Sequence, residues 1–161
     1  MDGYADLSGV AAEDLAINKF LRFLPVARAF AEMSKDSSTK VGALILGPDY
    51  EVRSSGWNGA VRGSRADEDK RAERPEKYHW FSHAEMNAIA QAAKMGTPLE
   101  GCTMVVTHPP CMICARLTVQ AGIKRVVCPA PSEDFARRWS EDLARTKELF
   151  EECSIRYVEV P

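Results

Sequence analysis

His83-Ala84-Glu85 and Pro110-Cys111-Met112-Ile113-Cys114 together supply one imidazole, two thiolates and one free carboxylate. Three such donors make a zinc site with an open fourth position. A structural zinc site normally closes its shell with a fourth protein ligand, whereas a catalytic one keeps a position for water. Cys111 and Cys114 are three residues apart, so on one helical turn their sulfurs face the same side. Pro110 precedes them at what reads as a helix start. There the unpaired N–H groups and the positive dipole end favour a charged sulfur, and thiolate is the form that binds metal. His83 also opens a helix. Two helix N-termini facing each other across adjacent strands can bring all three ligands to one point. Glu85 then hangs over the open position without ligating the metal.

The flanking sequence gives these two helices a sheet to stand on. A helix is expected from about Glu13 to Ser34, with Leu15, Phe20, Phe23, Leu24, Ala27, Phe30, Ala31 and Met33 on its apolar stripe. Pro25 should kink it or start a second helix. Val41–Leu46 and Glu51–Ser55 read as a hairpin, followed by a tight turn at Gly56-Trp57-Asn58-Gly59, where Asn and Gly tolerate positive φ. Residues 60–80 read as a charged loop. The histidine helix should run to about Lys94 and stop at Gly96-Thr97-Pro98. Thr103–Thr107 is a short buried strand and Cys111–Ala121 the next helix. Arg125–Cys128 is another strand, Glu133–Cys153 a helix with a possible interruption, and Ile155–Val160 a last, more exposed strand. This order predicts a three-layer α/β/α sandwich around a mixed sheet.

A chain of 161 residues, 45% hydrophobic and 27% charged, suits one domain, 1–161, with residues 1–13 as a loose lead-in. The net charge of −2 provides no general basic field, which weighs against a nucleic-acid partner. No apolar run is long enough to span a bilayer, and the N-terminus lacks the pattern of a signal peptide. Five cysteines, two at metal-ligand spacing, fit a reducing cytoplasmic interior better than a disulfide framework.

Zinc lowers the pKa of a bound water toward neutrality. A carboxylate at Glu85 can take that water's proton and return it to a ring nitrogen and a leaving amine. A lone C-x-x-C also suits a redox pair, but that leaves His83 and Glu85 without a role. A closed structural site would need a fourth ligand from His79, His108 or Cys128, although His108 fits a pocket rim better. Cys102, Cys128 and Cys153 read as small buried hydrophobes. Asn58 either shapes its turn or faces a ligand. Loops near twenty residues are often functional, and the arginines of the 60–80 loop are candidates for a bidentate phosphate clamp.

His83-Ala84-Glu85-Met86-Asn87-Ala88-Ile89 followed by Pro110-Cys111-x-x-Cys114 resembles the cytidine/deoxycytidylate deaminase superfamily, whose zinc nucleobase deaminases carry H-x-E and P-C-x-x-C. Lys35–Ala43, Gly56-Trp57-Asn58-Gly59-Ala60-Val61-Arg62-Gly63 and Gln120-Ala121-Gly122-Ile123-Lys124 are similar to segments of the dCMP deaminases. The likeness covers roughly residues 20–130. It implies a cytidine deaminase-like sandwich with a central five-stranded sheet, zinc on His83, Cys111 and Cys114, and Glu85 as the proton shuttle. It implies substrate contacts from Asn58 to the sugar, from the Ala84 backbone to the base, and at Trp57. Phosphate would fall to Arg62, Arg65, Arg71 or Arg74. A homo-oligomer, hexamer or dimer, with dCTP and dTTP as effectors and Mg2+ beside the nucleotide, also follows from the resemblance. Trp57 and Val61 replace the tyrosine and proline usual in that segment, near the effector site of regulated members. Pro109 stands where an aromatic residue often precedes the Pro-Cys.

Three readings of function follow. The first is hydrolysis of dCMP to dUMP and ammonia, feeding dTMP synthesis. The second is deamination of another cytosine nucleotide or nucleoside, or of a tRNA base. The third is a catalytically silent, zinc-stabilised nucleotide-binding module.

Overall fold

A computed structural model describes residues 18–161. Residues 18–21 are helical, residues 22 and 23 form a turn, and helix α1 follows at Leu24–Ala31 with Pro25 in its first turn. Pro25 thus starts a second helix instead of kinking one, because its fixed φ and missing N–H suit a helix start. Of the expected stripe, Leu15 lies outside the described residues. Met33 is exposed, because the helix ends before it.

The central sheet has five strands in the order β2-β1-β5-β6-β7: β1 Gly42–Leu46, β2 Val52–Trp57, β5 Thr103–Val106, β6 Arg125–Pro129 and β7 Arg156–Val160. β1 pairs antiparallel with β2 and with β5, while β5–β6 and β6–β7 are parallel, so the sheet is mixed as expected. A small ribbon joins β3, Gly59–Ala60, to β4, Phe81–Ser82. Helix α2 is Lys77–Trp80, α3 is Ala84–Met95, α4 is Met112–Gln120, α5 is Glu133–Arg138 and α6 is Ser140–Glu152.

Strand periodicity divides the core into two layers. Ala43, Ile45, Met104, Val106, Val126 and Cys128 face α3, α4 and α6, where they pack with Ala88, Ala115 and Phe150. Leu44, Leu46, Val105 and Val127 face the other way and pack with Phe20, Leu24 and Ala27. Parallel pairing demands crossovers. Helix α4 carries the chain from β5 to β6, and α5 with α6 carries it from β6 to β7.

Two parts of the sequence reading change. Gly56 and Trp57 continue β2, and neither they nor Asn58 and Gly59 have positive φ. Gly56 is needed for close approach: a Cβ there would sit 2.4 Å from Ala84 O and 2.5 Å from Ala88 N. The start of α3 therefore lies directly against β2. The 60–80 segment is also more ordered than a solvated loop. It contains a 3-10 turn at Lys70–Ala72, helix α2, and a fully buried Ala66. No helix among the described residues is long and apolar enough to cross a membrane, and all five cysteines are free.

Candidate active site

His83 and Cys111 occupy equivalent places. Each is the extended N-cap residue of a helix, α3 or α4, and neither uses its side chain to cap that helix. Both side chains turn toward each other. His83 Nδ1 lies 3.4 Å from Cys111 Sγ and 3.4 Å from Cys114 Sγ, and the three donor atoms all fall within 4.8 Å of one another. The N–H of Met112, left without a cap from Cys111, donates instead to Asp142 Oδ2 at 2.9 Å. A carboxylate from the first turn of α6 thus caps the helix that carries both cysteines.

The protons of this cluster are redistributed. The Cys114 S–H, with the imidazole beyond it, pulls the Cys111 thiol down to about 4. Cys114 is pushed up in turn by Cys111 and by burial. The Cys111 sulfur raises His83. One imidazole and two sulfurs at these distances form a soft, compact donor set suited to zinc. Among the described residues no fourth ligand joins the group. His108 Nδ1 instead lies 3.4 Å from Thr107 Oγ1, and its ring stands edge-on to Phe135 at 6.3 Å. The Cys128 S–H donates to the Tyr157 hydroxyl at 3.3 Å, and His79 is exposed.

Glu85, in the first turn of α3, is only 4% exposed. Burial pushes its carboxyl up to about 7, so it can hold or release a proton near neutrality. A cation beside it would draw that value down. Glu85, His83 and Cys111 line a cavity of about 510 Å³, beyond the C-terminal ends of β5 and β6. That is where ligands gather in α/β sheets with parallel strands.

The remaining expected site residues divide. Asn58 and Ala84 line the cavity. Trp57 does not; its ring lies 6.3 Å from that of Phe30, and its carbonyl accepts from Asn87 Nδ2 at 2.7 Å. Of the four arginines, Arg74 alone lines the cavity. Arg62 reaches the other way, to Gln91 Oε1 at 2.6 Å. Arg71 is held by Asp69 and lies over the Trp80 ring, and Arg65 is exposed away from the cavity.

Several lining residues left no mark in the sequence. Asp36 and Lys77 form a buried ion pair in the cavity wall, 2.8 Å at closest, with side chains 5% and 8% exposed. Burial alone would raise the Asp36 carboxyl, but the Lys77 ammonium and the Ser38 and Thr39 donors outweigh it and hold it below its ordinary value. Another part of the wall comes from the segment between β6 and the body of α6. It contributes Phe135, Arg138, Trp139 and Asp142. Phe135 and Trp139 stack at 6.2 Å, and Arg138 pairs with Asp134 at 2.7 Å. The only cue to this wall was the break expected within the Glu133–Cys153 helix, which falls at Trp139.

A family described as "Cytidine and deoxycytidylate deaminase zinc-binding region" matches residues 12–130. The chain is 39% identical over 142 residues to an uncharacterised deaminase in the luxG 3′ region of Aliivibrio fischeri, covering 87% of this chain and 92% of that one. It is also 39% identical over 110 residues to the deoxycytidylate deaminase of Homo sapiens, covering 65% of this chain and 61% of the human protein. The chain therefore spans about three-fifths of the human relative. The fold is similar to the dCMP deaminase of cyanophage S-TIM5, a crystal structure in complex with dCMP and dUMP, with a TM-score of 0.70, 21% identity, and 89% and 97% of the two chains covered. The reading of two paired helix starts around a soft donor set thus meets its relatives: the chain belongs to the cytidine and deoxycytidylate deaminase family and is a hydrolase of the deaminase type.

Proposed function

We propose that this chain is a zinc-dependent deaminase converting dCMP to dUMP and ammonia, and so feeding dTMP synthesis. The observation that carries the reading is Glu85, buried beside three converging donors at the floor of a nucleotide-sized cavity. The relatives named deoxycytidylate deaminases support the choice of base and phosphate.

In this reading His83, Cys111 and Cys114 hold one zinc ion. When bound, zinc makes water a competent nucleophile at neutral pH. The chain's own groups do the rest. The Glu85 carboxylate takes a proton from the attacking water and delivers it to the ring nitrogen; it then takes the second proton from the hydroxyl newly bound to the ring carbon and gives it to the departing amine, which leaves as ammonia as the carbonyl forms. The Ala84 backbone holds the base edge, and Asn58 receives the sugar. Pro109, Phe135 and Trp139 exclude water from the mouth of the cavity. Arg74 is the phosphate contact, and Arg138 is a second arginine of the cavity lining. Arg138 keeps guanidinium donors beyond those engaged by Asp134. A cytoplasmic homo-oligomer of one-domain chains completes the proposal. The dCTP and dTTP effectors and Mg2+ rest on the resemblance alone.

Two measurements test the reading. Glu85→Gln should keep stoichiometric zinc while kcat falls roughly 10²- to 10⁴-fold; unchanged turnover removes Glu85 from its role. Ammonia release from dCMP should exceed that from deoxycytidine in kcat/KM, and equal values overturn the monophosphate assignment.

A further inference from the structure

Asp36 and Lys77 come from segments 41 residues apart in sequence and meet in the cavity wall. Lys77 Nζ donates to Asp36 Oδ1 at 2.9 Å, to Asp36 Oδ2 at 2.8 Å, and to Ser38 Oγ. An ammonium has three protons, and all three have partners. Lys77 therefore has no proton left for a substrate phosphate, although it lines the cavity.

The same carboxylate fixes Asn58. Asn58 Nδ2 donates to Asp36 Oδ2 at 3.2 Å and to Thr39 O at 2.8 Å. The Val41 N–H donates to Asn58 Oδ1 at 2.8 Å. An amide nitrogen has two protons and an amide oxygen two lone pairs. Both protons are engaged, and one lone pair remains. Turning the amide over would set its oxygen against the Asp36 carboxylate and the Thr39 carbonyl, acceptor against acceptor. Asn58 is 8% exposed and lines the cavity. What it can offer a ligand there is an acceptor.

We propose that Lys77 is a positioning residue for substrate selection: by neutralising and orienting Asp36 it locks the Asn58 amide so that its oxygen keeps the only hydrogen-bonding capacity left for a ligand, and the site selects a substrate with a sugar hydroxyl to donate. This rests on the reading of Asn58 as the sugar contact. Lys77 also ties α2 to the Asp36–Val41 segment, so one pair joins part of the 60–80 region to the wall that carries Asn58.

The test uses the zinc-loaded enzyme with dCMP and 2′,3′-dideoxycytidine 5′-monophosphate. Wild type should favour dCMP by about tenfold in kcat/KM, the effect of one hydrogen bond. Lys77→Met should raise KM for dCMP about tenfold with kcat within about twofold, and reduce the preference to less than about twofold. Placed on Asn58→Ala, Lys77→Met should change KM no further, because it acts through that amide. General loosening of the pocket would raise KM in that background too, and that result overturns the proposal. If Lys77→Met does not fold, Asp36→Ala with Lys77→Met removes both charges and enters the same cycle. A wild type without preference for the hydroxyl defeats the sugar reading of Asn58, and the inference with it. A wild type that discriminates, beside a variant that discriminates equally, defeats the inference alone.

Discussion

Two polar clusters contribute side chains to the wall of one cavity, and they differ in whether they satisfy themselves. Asp36, Lys77, Ser38 and Asn58 match donor to acceptor almost completely. His83, Cys111 and Cys114 instead bring three soft donor atoms within 4.8 Å of one another, a set suited to a metal ion. The first arrangement holds a wall in place. The second calls for a cation from outside. Proximity of ionisable groups is thus a weak guide to function until their protons have been counted.

Removing one member of each cluster should break the two in different ways. Cys114→Ala should leave a protein without stoichiometric zinc and with kcat lowered roughly a thousandfold or more, since a Lewis acid contributes several kcal/mol at the transition state. Metal analysis and turnover on the same sample check it. Lys77→Met should instead leave zinc in place and reduce unfolding free energy by about 3–5 kcal/mol, because it strands a buried carboxylate. Denaturant melts measure this. Asp36→Ala combined with Lys77→Met should be less destabilised than Lys77→Met alone, and a larger loss would deny that the pair is the cause.

Acid probes the self-satisfied cluster without mutation. The Asp36 pKa is lower in the folded state than in the unfolded one. Its contribution to stability is therefore full above the unfolded value, near 4, and is lost as pH falls through the folded value. Melting temperature should drop on the acid side of pH 4, and that drop should shrink in the Asp36→Ala, Lys77→Met variant. The smallest effect belongs to the helix cap. Asp142→Ala should cost about 1 kcal/mol, roughly 2–4 °C in Tm for a chain of this size. A shift of zero would mean that the Met112 N–H needs no partner there.

These clusters were not equally legible in the sequence. His83, Glu85, Cys111 and Cys114 were visible because metal chemistry imposes short, regular spacings at helix starts. The strands were visible because Ala43-Leu44-Ile45-Leu46 is apolar at every position and is buried on both faces of the sheet. Asp36 with Lys77, and Asp142 with Met112, join through space across 41 and 30 residues. Such contacts leave no period and no local motif. The arginines of the 60–80 region were legible as a group but not one by one, since each guanidinium's direction depends on neighbours such as Asp69 and Gln91. The wall from Phe135 to Asp142 lies beyond the residues that match the family, so its part in the site emerged only with the fold.

Gly56 has a consequence of a different kind. It carries no reactive group and touches no ligand, yet a single methyl there would collide with the backbone at the head of the helix that begins after His83. A survey of random substitutions scored by activity would therefore rank this position among the metal ligands, and a survey scored by chemistry alone would pass it over. The catalytic map of this molecule includes a place where what matters is the absence of an atom.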